Sequence, residues 1–175
     1  MIPDRVFVFG YVGSRADQVA RVLAERLERP VFSTEKVIEA SARMPVAEVY
    51  RKEGENGFRQ RERRALVSVA TGPPGVILLG AGTFLDRGNR KTIHQAGVSV
   101  FIDASLEECL AGAIENGVLR ADDEANERFT SQFELRREEY EKADVLVEQL
   151  DRDAEAIADE VLQRLEDRVW EEKFA

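Results

Sequence analysis

Short apolar runs alternate along the chain with longer stretches of helical period. Arg5-Val6-Phe7-Val8-Phe9-Gly10 is β-rich and ends in glycine, the pattern of a buried first strand. Val19, Ala20, Val22, Leu23 and Leu27 then form an apolar stripe opposite Arg21, Glu25, Arg26 and Glu28, which predicts an amphipathic helix. Pro30-Val31-Phe32 is a brief second strand, and Ser33-Thr34 offers a helix cap before Val37-Ile38. A helix opens at Pro45 and breaks near Gly54; a longer, arginine-rich helix runs from Gly57 to Ala70. The cluster Thr71-Gly72-Pro73-Pro74-Gly75 is a turn. Val76-Ile77-Leu78-Leu79 is a buried strand stopped by Gly80-Ala81-Gly82.

Beyond it the same alternation continues. Helices are predicted over Asn89–Gln95, Leu106–Ile114, Glu127–Lys142 and Ala154–Trp170, and strands over Val98–Ile102 and Val145–Val147. Gly117 to Asn126 is polar and loop-like. There is no repeat and no low-complexity linker. Strands of parallel-sheet type separated by helices predict one α/β domain with helices on both faces of a parallel sheet. In such sheets ligands sit beyond the carboxyl ends of the strands. Three of those ends carry glycine or polar residues, at Gly10, Ser33 and Gly80.

Composition narrows the chemistry. At 175 residues and 43% hydrophobic, the chain has the material for a single core. One cysteine, Cys109, excludes an internal disulfide, and one histidine, His94, argues against a His-based metal cluster or a Ser-His-Asp triad. Cys109 falls on an apolar helix face, where a buried thiol is expected; His94 has no carboxylate at obvious spacing, so a surface role is expected. No apolar run reaches the roughly 20 residues of a membrane span, and the N-terminus lacks the pattern of a signal peptide, so a cytoplasmic setting is expected.

The net charge of −9 is unevenly spread: residues 1–100 hold 16 Lys+Arg against 11 Asp+Glu, and residues 101–175 hold 9 against 23. Nucleic acid is a poor partner for such a chain, because phosphate attraction dominates that affinity. A bound small anion belongs with the mildly basic first hundred residues.

The stretch Gly10-Tyr11-Val12-Gly13-Ser14-Arg15-Ala16-Asp17 lies between a strand and a helix, the setting of a phosphate-binding loop. The full motif, G-x-x-x-x-G-K-[S/T], cradles phosphate on backbone N–H groups, reaches it with lysine and holds magnesium through the hydroxyl. Here only the first glycine fits. Arg15 stands at the second glycine, Ala16 at the lysine and Asp17 at the hydroxyl residue. A lone glycine after a strand equally suits an ordinary strand-to-helix turn.

Order and spacing along the chain resemble the shikimate kinases, small P-loop enzymes of the nucleoside-monophosphate-kinase type. Phe9-Gly10-Tyr11-Val12-Gly13-Ser14 is similar to the family's I-G-F-M-G-S start, and Pro30-Val31-Phe32-Ser33-Thr34-Glu35 to P-F-x-D-[S/T]-D. Ala47-Glu48-Val49-Tyr50 and Glu53 to Glu62 resemble A-E-I-F…E-G-E-x-x-F-R-x-x-E. Gly80-Ala81-Gly82-Thr83, Asn89-Arg90, Phe101 to Ser105 and Arg136 to Asp144 resemble G-G-G-A, N-R, Y-L-D-A-S and R-x-P-L-Y-x-x-x-A-D. The resemblance implies a three-layer α/β/α domain over residues 1–175, a five-stranded parallel sheet and a lid at about 112–126.

It also implies that Glu35, Arg59, Gly80, Ala81, Gly82 and Arg136 hold the acceptor, a small carboxylate such as shikimate. The arginine fork suits a carboxylate, and small turn residues let a hydroxylated ring approach the backbone. Glu35 is one methylene longer than the family's aspartate, and Ala81 replaces the middle glycine. The alternative for Arg59 is an ion pair with Glu62 or Glu55, and for Arg136 one with Glu139.

The donor side is altered. Gly10, Gly13, Ser14, Arg15, Ala16 and Asp17 form the degenerate loop, and Ser33 replaces an aspartate that helps hold magnesium. Gly117 replaces the lid arginine, with Arg120 displaced by three residues. Bulk at Arg15 is expected to disfavour the glycine conformation, and the Asp17 carboxylate is a candidate to occupy the anion site. Three readings follow. One is a non-catalytic relative that retains a shikimate or carboxylate site and uses no cofactor. The second is an active Mg-ATP-dependent shikimate kinase, with Arg15 or Arg120 replacing the lysine. The third is a ligand-free scaffold that engages a protein partner through the acidic C-terminal helix carrying Trp170 and Phe174.

Overall fold

A computed structural model describes residues 1–120 and 122–174, with the side chains of Asp123 and Ala125 not described. The expected segment at about 112–126 therefore includes Ala121, which lies outside the described residues, as does Ala175 at the end of the chain.

Five strands form one sheet: β1 (Arg5–Gly10), β2 (Val31–Ser33), β3 (Gly75–Leu78), β4 (Val98–Asp103) and β5 (Val145–Glu148). Their order is β2-β3-β1-β4-β5 and every pairing is parallel. β1 is thus the central strand, with Val6 beside Val76 on one side and Val98 on the other. Among the described residues six α-helices lie between them, α1 (Ala16–Arg26), α2 (Thr34–Ala42), α3 (Val46–Thr71), α4 (Arg87–Ala96), α5 (Leu106–Glu115) and α6 (Asp123–Tyr140), and α7 (Ala154–Phe174) follows β5.

The period of two in β1 sorts its side chains between two cores. Val6 and Val8 join Val19 and Leu23 of α1 and Ile157, Val161 and Leu165 of α7. Phe7 and Phe9 point the other way, to Leu66 and Val69 of α3, Ile93 of α4 and Tyr140 of α6. The result is the three-layer α/β/α arrangement expected. A third, smaller cluster of Ile38, Val49, Phe58 and Ala65 joins α2 to α3.

Local chemistry sets the ends. Ser33 caps α2 by accepting from the Lys36 N–H at 3.3 Å, as its sequence position predicts. Ser105 and Glu108 form a capping box on α5. The break expected near Gly54 is present: α3 is two helical stretches that meet at a kink, where Gly54 takes φ +69° and ψ −177°. The last helix runs four residues beyond its predicted end, and Trp170 and Phe174 on it are 65% and 68% exposed. Cys109 is fully buried, as expected. His94 is exposed, as expected, and its Nδ1 lies 3.9 Å from Asp144, a carboxylate 50 positions away that no local spacing indicates.

Candidate functional site

The carboxyl end of β1 opens into the loop Gly10–Asp17 at the centre of the sheet edge. Gly13 has φ +86°, and a Cβ there would lie 2.0 Å from the Cys109 carbonyl oxygen of α5. A Cβ at Gly112 would in turn lie 2.0 Å from the Gly13 oxygen, so loop and helix meet backbone to backbone. Ser14 N–H closes a turn onto the Tyr11 carbonyl at 3.0 Å.

Arg15 adopts φ −86° and ψ 20°, a negative-φ conformation open to any side chain; the expectation that its bulk opposes the backbone geometry is not met. Its amide N–H donates to Gln149 Oε1 at 2.8 Å, and its Nη1 donates to the Arg152 carbonyl at 2.7 Å. The guanidinium is therefore turned toward the β5–α7 connection. Ala16 is buried against the core below α1. Asp17 is exposed and pairs with Arg21 at 3.2 Å, one turn along α1, so its carboxylate does not fold back into the loop.

A cleft of about 180 Å³ runs from this loop to the ends of β2 and β3, lined by Ser14 and Asp17 on one side and Ser33, Glu35, Gly80 and Ala81 on the other. The buried Thr34 hydroxyl accepts from Gly80 N–H at 3.1 Å and ties the β2–α2 junction to the glycine turn. The Glu35 carboxylate lies against Gly80, where a Cβ would come within 3.1 Å of its Oε1. Glu35 keeps an exposed outer surface, but desolvation of the carboxyl, followed by the charges of Glu39 and Glu62, pushes its pKa up.

Arg59 lies over the same turn. A Cβ at Gly82 would sit 2.6 Å from its Nη1, so a larger residue there would displace the guanidinium from this position. Arg59 Nη1 donates to both oxygens of Glu62, at 3.0 and 3.1 Å, and Glu62 Oε2 accepts from the Thr83 hydroxyl at 2.9 Å. The ion pair with Glu62 considered for Arg59 is thus present, with a longer contact to Glu55 at 3.9 Å. Glu62 is only 2% exposed, which makes this a buried anchor and not a surface pair.

Arg136 behaves differently. The pair considered with Glu139 does not form: Glu139 binds Arg90 and Lys142. The Tyr140 hydroxyl donates to the Ala81 carbonyl, and Arg136 lies close enough for its charge to act on that hydroxyl. It lines a second, larger cavity of about 390 Å³ that shares Tyr11 and Val12 with the cleft. Arg120 is exposed and lines neither.

The structure thus gathers Ser33, Glu35, Gly80 and Ala81 with the loop, sets Arg59 and Gly82 beside them, and reaches Arg136 through Tyr140. Residues not singled out from sequence complete the arrangement: Thr34, Thr83, Tyr140, Gln149 and Arg152. Glu62 was visible only as a partner for Arg59, through the i,i+3 spacing. Among the described residues no group of three or more His, Cys, Asp or Glu is placed to hold a metal ion, and no helix is long and apolar enough to cross a membrane.

A five-stranded parallel sheet in this order, with a strand–loop–helix at its central strand, defines a P-loop kinase type of fold. The family model for shikimate kinase matches residues 17–166, beginning at the last residue of the loop Gly10–Asp17, and the chain belongs to that family. A shikimate kinase of Symbiobacterium thermophilum is 36% identical over 66% of this chain and 66% of its own length. One of Paramagnetospirillum magneticum is 30% identical over 91% of this chain and 83% of its own. Against several curated relatives the chain spans between 51% and 66% of their length. Among solved structures, shikimate kinase from Acinetobacter baumannii in complex with shikimate superposes with a TM-score of 0.86 at 24% identity, covering all of this chain and 97% of that one.

Proposed function

We propose that this member of the shikimate kinase family binds a small hydroxylated carboxylate, shikimate or a close relative, and does not transfer phosphate to it. The acceptor groups support the first half. Arg136 is partly buried and faces no carboxylate among the described side chains, so its fork is available to a ligand carboxylate. Glu35 and the backbone of Gly80 and Ala81 border the cleft, where ring hydroxyls need acceptors and donors. Arg59, neutralised by Glu62, shapes the turn and supplies its remaining N–H groups.

The single observation that carries the second half is the commitment of Arg15. Phosphoryl transfer depends on positioned cations and dipoles around the moving group, and loss of one such element costs on the order of 10²–10³ in rate. Ala16 provides no charge, and the guanidinium next to it is spent on the Arg152 carbonyl. The amides of Ser14 and Arg15 are already bonded within the protein, to Tyr11 and Gln149. The Ser33 hydroxyl caps α2, and Asp17 puts a carboxylate at the rim of the cleft in place of a hydroxyl. These residues do not suit Mg-ATP, and no chemical step is assigned to it.

Calorimetric titration of the intact chain with shikimate, and separately with Mg-ATP and Mg-ADP, tests both halves. Shikimate is expected to bind in the micromolar-to-millimolar range usual for kinase substrates, and the nucleotides not to bind. Magnesium-dependent turnover of shikimate above background would establish the active-kinase alternative. No response to any of these ligands, together with a defined partner complex, would establish the scaffold.

A further inference from the structure

The larger cavity has a chemistry unlike that of the acceptor cleft. Its walls are Tyr11 and Val12 of the loop, Leu119, and Phe129 and Phe133 of α6. Tyr11 and Phe133 stack at 3.9 Å between centroids with 22° between planes, and Tyr11 meets Phe101 edge to face at 5.7 Å. These contacts make the aromatic wall a rigid part of the core. Its polar lining is Arg128, Gln132 and Arg136, with no carboxylate among them.

We propose that this cavity is a binding pocket for an aryl carboxylate: one flat apolar ring carrying a carboxylate on a short arm. At about 390 Å³ it lies at the small end of ligand pockets, enough for a single ring with a side arm. Ring faces stack on aromatic walls, whereas a polyol there would bury hydroxyls without partners, at about 1–3 kcal/mol each.

The charge selects the other end of the ligand. Arg128 is committed to Glu124 in an exposed pair on α6. Arg136 has no ion-pair partner among the described residues, while its neighbours Arg59, Arg90 and Arg137 hold Glu62, Glu139 and Asp103. A partly buried guanidinium without a counter-ion is matched by a bidentate carboxylate. The absence of any lining Asp or Glu leaves an α-ammonium unpaired, so the acid without an amine is preferred over the amino acid. Because Arg136 also serves the proposed acceptor site, the two ligands exclude each other. Only this competition rests on the acceptor reading; the pocket stands without it.

The test is calorimetry on the intact chain with 3-phenylpropanoate, the uncharged 3-phenylpropanol, phenylalanine and shikimate. The acid is expected to bind at least tenfold more tightly than the alcohol or the amino acid. Arg136→Ala is expected to weaken 3-phenylpropanoate and shikimate alike by tenfold or more. Phe129→Ala and the volume-conserving Phe129→Leu, each checked by its thermal melt, are expected to weaken only 3-phenylpropanoate. If shikimate binds and 3-phenylpropanoate does not, the pocket is refuted and the acceptor reading stands. If 3-phenylpropanoate binds with the Arg136 and Phe129 dependence and shikimate does not, the pocket stands and the acceptor reading falls. Binding of 3-phenylpropanoate that ignores Phe129 or Arg136 refutes the pocket, binding of both ligands without competition refutes their shared use of Arg136, and no binding by either refutes both readings.

Discussion

Arg15 reaches across the sheet edge to the carbonyl oxygen of Arg152, at 2.7 Å, while its own amide is held by the buried side chain of Gln149 at 2.8 Å. One residue thereby ties the loop after β1 to the connection after β5. That connection is itself tightly set: Leu150 and Asp151 take φ of +48° and +54°, and the Asp151 amide donates to Glu108 at 2.6 Å.

Rebuilding the loop is expected to restore nucleotide binding only when the tie and the missing groups are changed together. Arg15→Gly, Ala16→Lys, Asp17→Ser and Ser33→Asp combined should give measurable Mg-ADP binding by calorimetry, and Arg15→Gly alone should not. Aspartate is as good an N-cap as serine, so α2 keeps its start in the combined variant. Binding by the single variant would show that the tie is the only obstacle.

Arg59 and Arg136 are expected to separate on stability. Arg59→Ala leaves the buried Glu62 carboxylate without its cation and should destabilise the chain by about 3 kcal/mol in urea unfolding. Adding Glu62→Gln removes the stranded charge and should recover part of that loss. Arg136→Ala breaks no ion pair among the described residues and should change stability by less than about 1 kcal/mol while weakening carboxylate binding tenfold or more. Equal losses from the two variants would contradict this division.

Glu35 gives stability a dependence on pH with a definite sign. Its folded-state pKa is raised by desolvation, with Glu39 and Glu62 adding to the effect. The folded chain therefore holds this proton to higher pH than the unfolded chain does. The associated stability is fully present below the unfolded value and is lost as pH rises through the raised one. Urea midpoints measured between about pH 4 and 7 should fall less steeply for Glu35→Gln than for the parent chain. Comparison with the parent is required because Asp103 is also raised by burial, against the opposing effect of Arg137.

Tyr11 carries a buried hydroxyl with no hydrogen-bond partner among the described residues, and lines both the cleft and the aromatic cavity. Tyr11→Phe keeps the stack on Phe133 and removes the unsatisfied group, so it is expected to stabilise the chain by about 1 kcal/mol. A lower melting temperature for this variant would mean that the hydroxyl has a partner when the chain is in solution.

What the sequence determined was whatever rests on neighbours in the chain. The run Arg5–Gly10 is strand because β-branched and aromatic residues alternate faces over six positions, and the structure bounds it at the same residues. Ser33, Gly54 and Gly80 marked a cap, a bend and a turn because those conformations are set by the residue itself. That alanine stands at position 16, where the resemblance places a lysine, is likewise read from the chain independently of how it folds.

The tertiary structure decided where each charge is spent. Arg15 and Arg152 are 137 positions apart, Arg137 and Asp103 are 34, and no spacing rule links them. Arg59 and Arg136 look alike in sequence, yet one meets a buried glutamate from its own helix turn and the other is left facing a cavity. A guanidinium on a long flexible arm takes the partner that packing brings within about 3 Å, and that choice depends on strand order and helix placement, which local sequence does not encode.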